Sequence, residues 1–209
     1  MDTVAVIDFE TTGMTPEQGA RATEIAIVLV RDGTVIDRYA SLMRSGAWVP
    51  PFIEQLTGIS NGMLAEAPSS ERVMREAAEF VGDAPMAAHN AAFDSRFWAA
   101  ELDRIGVVSS AQFACTLLLA RRLYPDAPSH KLGKLGHWAG LPTTGRAHRA
   151  LADAEMAARL LLKMEADLLA RHDLARVSHS MLRALQSVSR RRMDRFLGDY
   201  ATRNGHAQQ

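Results

Sequence analysis

The most constraining stretch of this chain is residues 23–31, Thr-Glu-Ile-Ala-Ile-Val-Leu-Val-Arg, followed at once by Asp32-Gly33 and a second extended run over 34–43. An apolar, β-branched run of that length reads as a buried strand. Asp-Gly between two such runs signals a two-residue hairpin, because both turn positions need a left-handed backbone. Residues 3–8, Thr-Val-Ala-Val-Ile-Asp, form a further strand that ends on a carboxylate, so the chain opens on a three-stranded meander. Strands and helices then alternate. Pro50-Pro51 starts a short helix that runs to about Leu56, before Gly58. Ser69-Ser70-Glu71 opens a helix over about 70–82, stopped by Gly82. Residues 85–89 form a short strand, and Phe93, Phe97, Leu102 and Ile105 share helical spacing up to Gly106. Another short strand falls near Phe113, followed by helices over 116–123, 131–139 and 149–169. A meander followed by strand–helix alternation predicts an α/β fold with a mixed sheet between helices.

Composition excludes whole classes. The 209 residues are 47% hydrophobic and 23% charged, unlike a disordered or collagenous chain. Cys115 is the sole cysteine, so no intrachain disulfide forms. The start, Met-Asp-Thr-Val, lacks a basic segment ahead of an apolar one, and no apolar run is long enough to cross a membrane. A cytoplasmic protein without membrane contact is expected. The net charge of zero conceals an asymmetry. Residues 171–209 carry eight Arg against Asp173, Asp194 and Asp199, net +5, which leaves −5 on residues 1–170. The composition shift near residue 171 divides the chain into a body, 1–170, and a basic helical extension, 171–209. In the extension, Leu174, Val177, Met181, Leu185 and Val188 form one helical stripe ahead of Arg190, Arg191, Arg192 and Arg195.

The chemistry-bearing residues are carboxylates at element ends. Asp8 and Glu10, two apart on an extended chain, face the same side. By itself Asp-x-Glu is a weak signal, and Asp153-Ala-Glu155 repeats it on a helix, where the two acids diverge by about 200°. The second block is His89-Asn90-Ala-Ala-Phe93-Asp94, at a strand-to-helix junction. Asp94 there is either a carboxylate favoured by the helix dipole or a functional group, and Asn90 either caps the helix or faces a site. The third block is His148-Arg-Ala-Leu-Ala-Asp153, with Ala150 and Ala157 leaving room beside Asp153. On one continuous helix His148 and Asp153 would stand about 140° apart, so His148 belongs at the helix mouth.

In order and spacing these blocks, with Leu56-Thr57-Gly58-Ile59 and Lys131-Leu132 between them, resemble the DEDDh 3′→5′ exonucleases, the group that includes the proofreading epsilon subunit of bacterial replicative polymerase. The resemblance covers about residues 3–168 and implies a ribonuclease H-like mixed sheet flanked by helices. It makes residues 1–170 the exonuclease domain. It also implies two Mg²⁺ or Mn²⁺ ions: Asp8 bridging them, Glu10 and Asp153 on the nucleophile side, and Asp94 on the other. Oxygen ligands and a phosphate substrate suit those ions. His148 becomes the general base; imidazole changes charge near neutrality, which suits the task. By the same resemblance Glu10 and Thr11 meet the terminal 3′-hydroxyl, Met14 wedges against the last base, Leu56 and Phe93 pack on it, and Asn90 lines the pocket. Stacking of this kind tolerates any base. The expected substrate is nucleic acid with a free 3′ end, DNA favoured, releasing nucleoside 5′-monophosphates. An RNA-trimming enzyme of the same family and a non-catalytic nucleic-acid-binding module are the alternatives. No clamp-binding segment follows residue 165, so a free-standing nuclease is as well supported as a polymerase subunit. A polymerase or a second copy of the chain is the partner the extension would take.

Overall fold

A computed structural model describes residues 3–143, 145–172 and 174–205. Of the two blocks expected from composition, residues 1–2, Thr144, Asp173 and 206–209 lie outside the described residues. Strands β1 (Val4–Thr11), β2 (Ala22–Arg31) and β3 (Thr34–Leu42) form the expected antiparallel meander. Asp32 (φ 49°) and Gly33 (φ 77°) supply the two left-handed turn positions. Strands β4 (Met86–Ala88) and β5 (Phe113–Cys115) add in parallel on the far side of β1, giving the order β3-β2-β1-β4-β5.

Both faces of the central strands are covered, which explains their unbroken apolar runs. Val4 and Val6 of β1 and Ala26, Val28 and Val30 of β2 face one core; Ala5, Ile7, Ile25 and Ile27 face the other. The first core is closed by the long helix that spans Ala150–His172, whose Ala154, Ala157 and Ala158 let it lie close to the sheet. The second is closed by helices at Ser70–Val81 and Ala92–Asp103, through Met74, Ala77, Phe97 and Leu102. In chain order the helices are α1 (Pro51–Thr57), α2 (Asn61–Glu66), α3 (Ser70–Val81), α4 (Ala92–Asp103), α5 (Thr116–Leu123), α6 (Leu132–Trp138), α7 (Ala150–His172), α8 (His179–Leu185) and α9 (Met193–Gly205).

Three boundaries differ from the sequence reading. Strand β1 continues past Asp8 to Thr11, because Glu10 still pairs with Glu24 and, after an irregularity, Thr11 with Ala22. Helix α2 was not expected. Its six residues are too few to show periodicity, and it rests on the Ser60 cap, whose hydroxyl accepts from Met63 N. The apolar stripe of the extension is not one helix. Residues 174–178 are non-helical, α8 starts on the Ser178 cap, and a 3₁₀ turn over Arg190–Arg192 precedes α9. Leu174, Val177, Met181, Leu182, Leu185 and Leu197 nevertheless bury themselves in the core that α7 closes. Among the described residues no helix is long and apolar enough to cross a membrane.

Candidate active site

The chemistry-bearing residues meet where the parallel strands end. Asp8 and Glu10 project from β1 on the face that carries Val4 and Val6, toward α7. Asp153 sits in the first turn of α7, and the His148 backbone N–H donates to its Oδ2 at 2.9 Å. Asp94 comes from the first turn of α4 and is buried; its Oδ1 accepts from Phe9 N at 3.1 Å, which ties α4 to the end of β1. A cleft of about 410 Å³ is lined by Asp8, Glu10, Thr11, Met14, Leu56 and Asn90, together with Phe93, Asp94, His148 and Asp153. Every residue to which the family resemblance assigns a role therefore lines one space.

The cleft has a charged floor and an apolar mouth. One ligand atom each from Glu10, His148 and Asp153 lies within 4.8 Å of the others. Among the described residues, no Lys or Arg forms an ion pair with Asp8, Glu10, Asp94 or Asp153. Burial and mutual repulsion therefore keep protons on the carboxylates. Burial first, then Asp94, Asp153 and Glu10, raise the Asp8 pKa well above the carboxylate range. Glu10 is pushed up to about 8 by burial and then Asp153. Asp94 is raised to about 7 by burial, against the opposing Phe9 N–H bond. Asp153 is also raised by burial. At the mouth, Met14, Phe52 and Leu56 are exposed, and Phe93 lies against Phe97 with ring centroids 4.9 Å apart.

At the cleft, two backbone positions are held in the left-handed region by non-glycine residues, Asn90 (φ 68°) and His148 (φ 60°). Both border the cleft, and such conformations persist only where surrounding contacts over-determine them. Asn90 does not cap α4 with its side chain; it marks the sharp turn that aims the first turn of α4 into the cleft. The contacts that hold His148 include a residue the sequence reading passed over. Glu24 is buried on β2 directly opposite Glu10. Its carboxylate accepts from Arg149 Nε at 3.1 Å, Arg149 Nη2 at 2.8 Å and Ala150 N at 2.9 Å. That clasp fixes the two residues that follow His148, inside the turn closed by the His148–Asp153 hydrogen bond. Phe52 and His89 were also absent from the expected lining. His89 Nε2 meets the His130 carbonyl at 2.9 Å, so Nε2 carries the proton, and Nδ1 accepts from Thr116 Oγ1 at 2.9 Å. Burial lowers the His89 pKa to about 4, consistent with this neutral, structural ring.

A mixed five-stranded sheet with a carboxylate-and-histidine cleft at its parallel-strand ends defines a ribonuclease H-like nuclease. Residues 5–161 match the Exonuclease family model of the RNase T type, and the chain belongs to that family. It is 34% identical to DNA polymerase III subunit epsilon of Aquifex aeolicus (strain VF5) over 163 residues, 78% of this chain and 80% of that one. It is equally 34% identical to the 3′-5′ exonuclease DinG of Bacillus subtilis (strain 168) over 76% of this chain, but only 17% of that longer protein. Among solved structures, Exonuclease X in complex with 5′ overhanging duplex DNA superposes with a TM-score of 0.65 at 28% identity, covering 78% of this chain and 91% of that one. The nuclease domain of 3′hExo, a DEDDh family member bound to rAMP, shares the fold at a TM-score of 0.68 and 20% identity, over 79% and 92% of the two chains. The activity is that of a 3′→5′ exonuclease.

Proposed function

We propose that the cleft removes 3′-terminal nucleotides from DNA as 5′-monophosphates, with two divalent cations, Mg²⁺ or Mn²⁺, held by Asp8, Glu10, Asp94 and Asp153. The observation that carries the reading is the convergence of four protonation-prone carboxylates, without a partnering Lys or Arg among the described residues, beneath an apolar mouth. Hard, crowded oxygen donors fit a hard cation and do not fit an empty, fully ionised site. When bound, the cations neutralise the carboxylates and stabilise charge on the attacking and departing oxygens. The protein's own groups do the positioning. Met14, Leu56 and Phe93 hold the terminal base by stacking and packing, which reads no sequence. Thr11, with Glu10, meets the 3′-hydroxyl, and Asn90 borders the same nucleotide. The His148 imidazole takes a proton from the attacking water, and the bond from phosphorus to the departing 3′-oxygen breaks. DNA is favoured because one relative is named as a polymerase III subunit and a solved relative holds duplex DNA.

The test uses 5′-labelled single-stranded DNA and RNA oligonucleotides with Mg²⁺ or Mn²⁺. A ladder of 3′-shortened DNA is expected, faster than on RNA of the same sequence and abolished by EDTA. Asp8→Ala should lose at least about 10³-fold in rate, since it removes a central ligand from the charge-stabilising cluster. His148→Ala should lose about 10²–10⁴-fold, the usual contribution of a general base, while keeping Mn²⁺ binding. Wild-type turnover by Asp8→Ala, or RNA degraded faster than DNA, would overturn the corresponding part of the reading.

A further inference from the structure

The catalytic cleft, lined by four carboxylates, is read as taking the terminal nucleotide, which leaves the strand leading to it to be held by other residues. A groove of about 500 Å³ adjoins the cleft and shares His89 and Asn90 with it. Its other walls are Leu117 and Arg121 of α5, His130, Lys131 and Leu132. A second groove of about 350 Å³ continues from it through Asn90, Leu117 and Arg121 and ends against Gln186 of the extension. Neither groove is lined by an acidic residue. Arg121 and Lys131 are exposed and, among the described residues, pair with no carboxylate.

The extension is anchored beside this track. Gln186 Oε1 accepts from Cys115 N at 2.6 Å, and Arg122 Nε donates to the Val188 carbonyl at 2.7 Å. Arg190, Arg191 and Arg192, all exposed, follow two to four residues after that anchor. The charge pattern thus reverses away from the cleft: acidic in the cleft, then two cations in the groove, with three more on the segment that follows the Gln186 and Val188 anchor, outside the family match, which ends at residue 161.

We infer that this groove binds the sugar–phosphate backbone of the nucleotides upstream of the 3′ end, with Arg121 and Lys131 as inner phosphate contacts and Arg190–Arg192 as the outer ones. The inference rests on the nuclease reading above and adds where the rest of the strand lies. Phosphate contacts of this kind position a strand without reading its sequence. Each one lost from a single strand flattens the slope of log affinity against log salt by about 0.7.

The test compares the full chain with Arg121→Gln/Lys131→Gln, both at exposed positions, and with a triple Gln variant at 190–192. Binding of labelled dT4 and dT12 is read by anisotropy in EDTA across a salt series. Turnover is read on the same oligonucleotides and on the p-nitrophenyl ester of thymidine 5′-monophosphate, which ends before the groove. The double variant should weaken dT12 binding about tenfold, flatten its salt slope by about 1.4 and leave ester hydrolysis within twofold. The triple variant should weaken dT12 and spare dT4. Unchanged affinity and slope in both variants would overturn the inference, as would equal losses on the ester and on dT12. If the wild type binds dT12 with the expected slope but cleaves neither substrate, the groove stands and the nuclease reading fails.

Discussion

At the scale of single residues, what separates this cleft from a set of surface acids is the treatment of His148. Its left-handed backbone is unfavourable for a residue with a Cβ, and the Glu24–Arg149–Ala150 clasp holds the next two residues of the chain. Glu24 has two effects of opposite sign. Its charge raises the Asp8 and Glu10 pKa values, and its hydrogen bonds fix the turn. Glu24→Gln relieves the repulsion but breaks the bidentate pair with Arg149. The loss of positioning should dominate, because an aligned base matters more than a modest change in carboxylate charge. We expect kcat on a DNA oligonucleotide to fall about 10–100-fold, the usual effect of disturbing a partner that orients active-site groups. KM should stay within threefold, since Met14, Leu56 and Phe93 are untouched. A loss confined to KM would assign Glu24 to substrate binding instead. This is also where legibility stopped. Asp8, Glu10, Asp94, His148 and Asp153 stood out only because three blocks, each weak by itself, resemble a known family in their order and spacing. Glu24 lies inside an apolar strand, and only the Glu10↔Glu24 pairing, a tertiary fact, brings it to the site. Phe52 was hidden for a similar reason, being one apolar residue in a short helix whose exposed side depends on how α1 docks.

At the scale of elements, the strongly patterned parts were readable and the weakly patterned ones were not. The meander, its Asp32-Gly33 turn and helices α3, α4, α5 and α7 follow from long apolar runs, caps and stop signals. Helix α2 and the late start of α8 depend on the Ser60 and Ser178 hydroxyls and on docking, which short stretches do not announce. The extension illustrates the difference. Its basic composition set it apart in the sequence, yet Leu182 and Leu185 are fully buried in the same cluster as Leu160 and Leu161 of α7. If α8 is part of one cooperative unit with the sheet, Leu182→Ala should cost about as much as Leu160→Ala, in the range of 2–5 kcal/mol for a buried leucine. Urea unfolding of the two variants checks this. A cost below about 1 kcal/mol for Leu182→Ala, or a separate early transition, would make the extension an independently melting appendage.

For the whole molecule, the buried titratable groups set a pH profile that no single element determines. Burial holds His89 at about 4 against its usual 6.5 and also lowers His179. At these two side chains the unfolded chain therefore binds more protons than the folded one between about pH 4 and 6.5, and the histidines alone would make stability rise with pH over that window. The carboxylates act in the opposite direction. Glu10, at about 8 against 4.5, and Asp94, at about 7 against 3.8, keep protons in the folded state that the unfolded chain has already released. The raised Asp8 and Asp153 add to this. Their contribution is fully present below about pH 4 and is lost as pH climbs through 7 and 8. With four raised carboxylates against two lowered histidines, the carboxylates prevail, so the cation-free protein loses stability as pH rises above about 4.5, with no opposition from the histidines above about 6.5. A divalent cation that binds only the folded, ionised cluster should reverse that decline, and its stabilisation should grow with pH because it competes with those protons. Thermal melts in EDTA from pH 5.5 to 9, repeated with Mn²⁺ or Mg²⁺, test this directly. The Tm in EDTA should fall between pH 6.5 and 8.5. The increment from the cation should be small at pH 5.5 and largest at pH 8.5. Glu10→Gln should flatten the fall, because an amide at that position has no proton to lose. A cation increment independent of pH, or a Tm in EDTA that rises from 6.5 to 8.5, would mean that the cluster is not the repulsive, proton-holding group its burial implies.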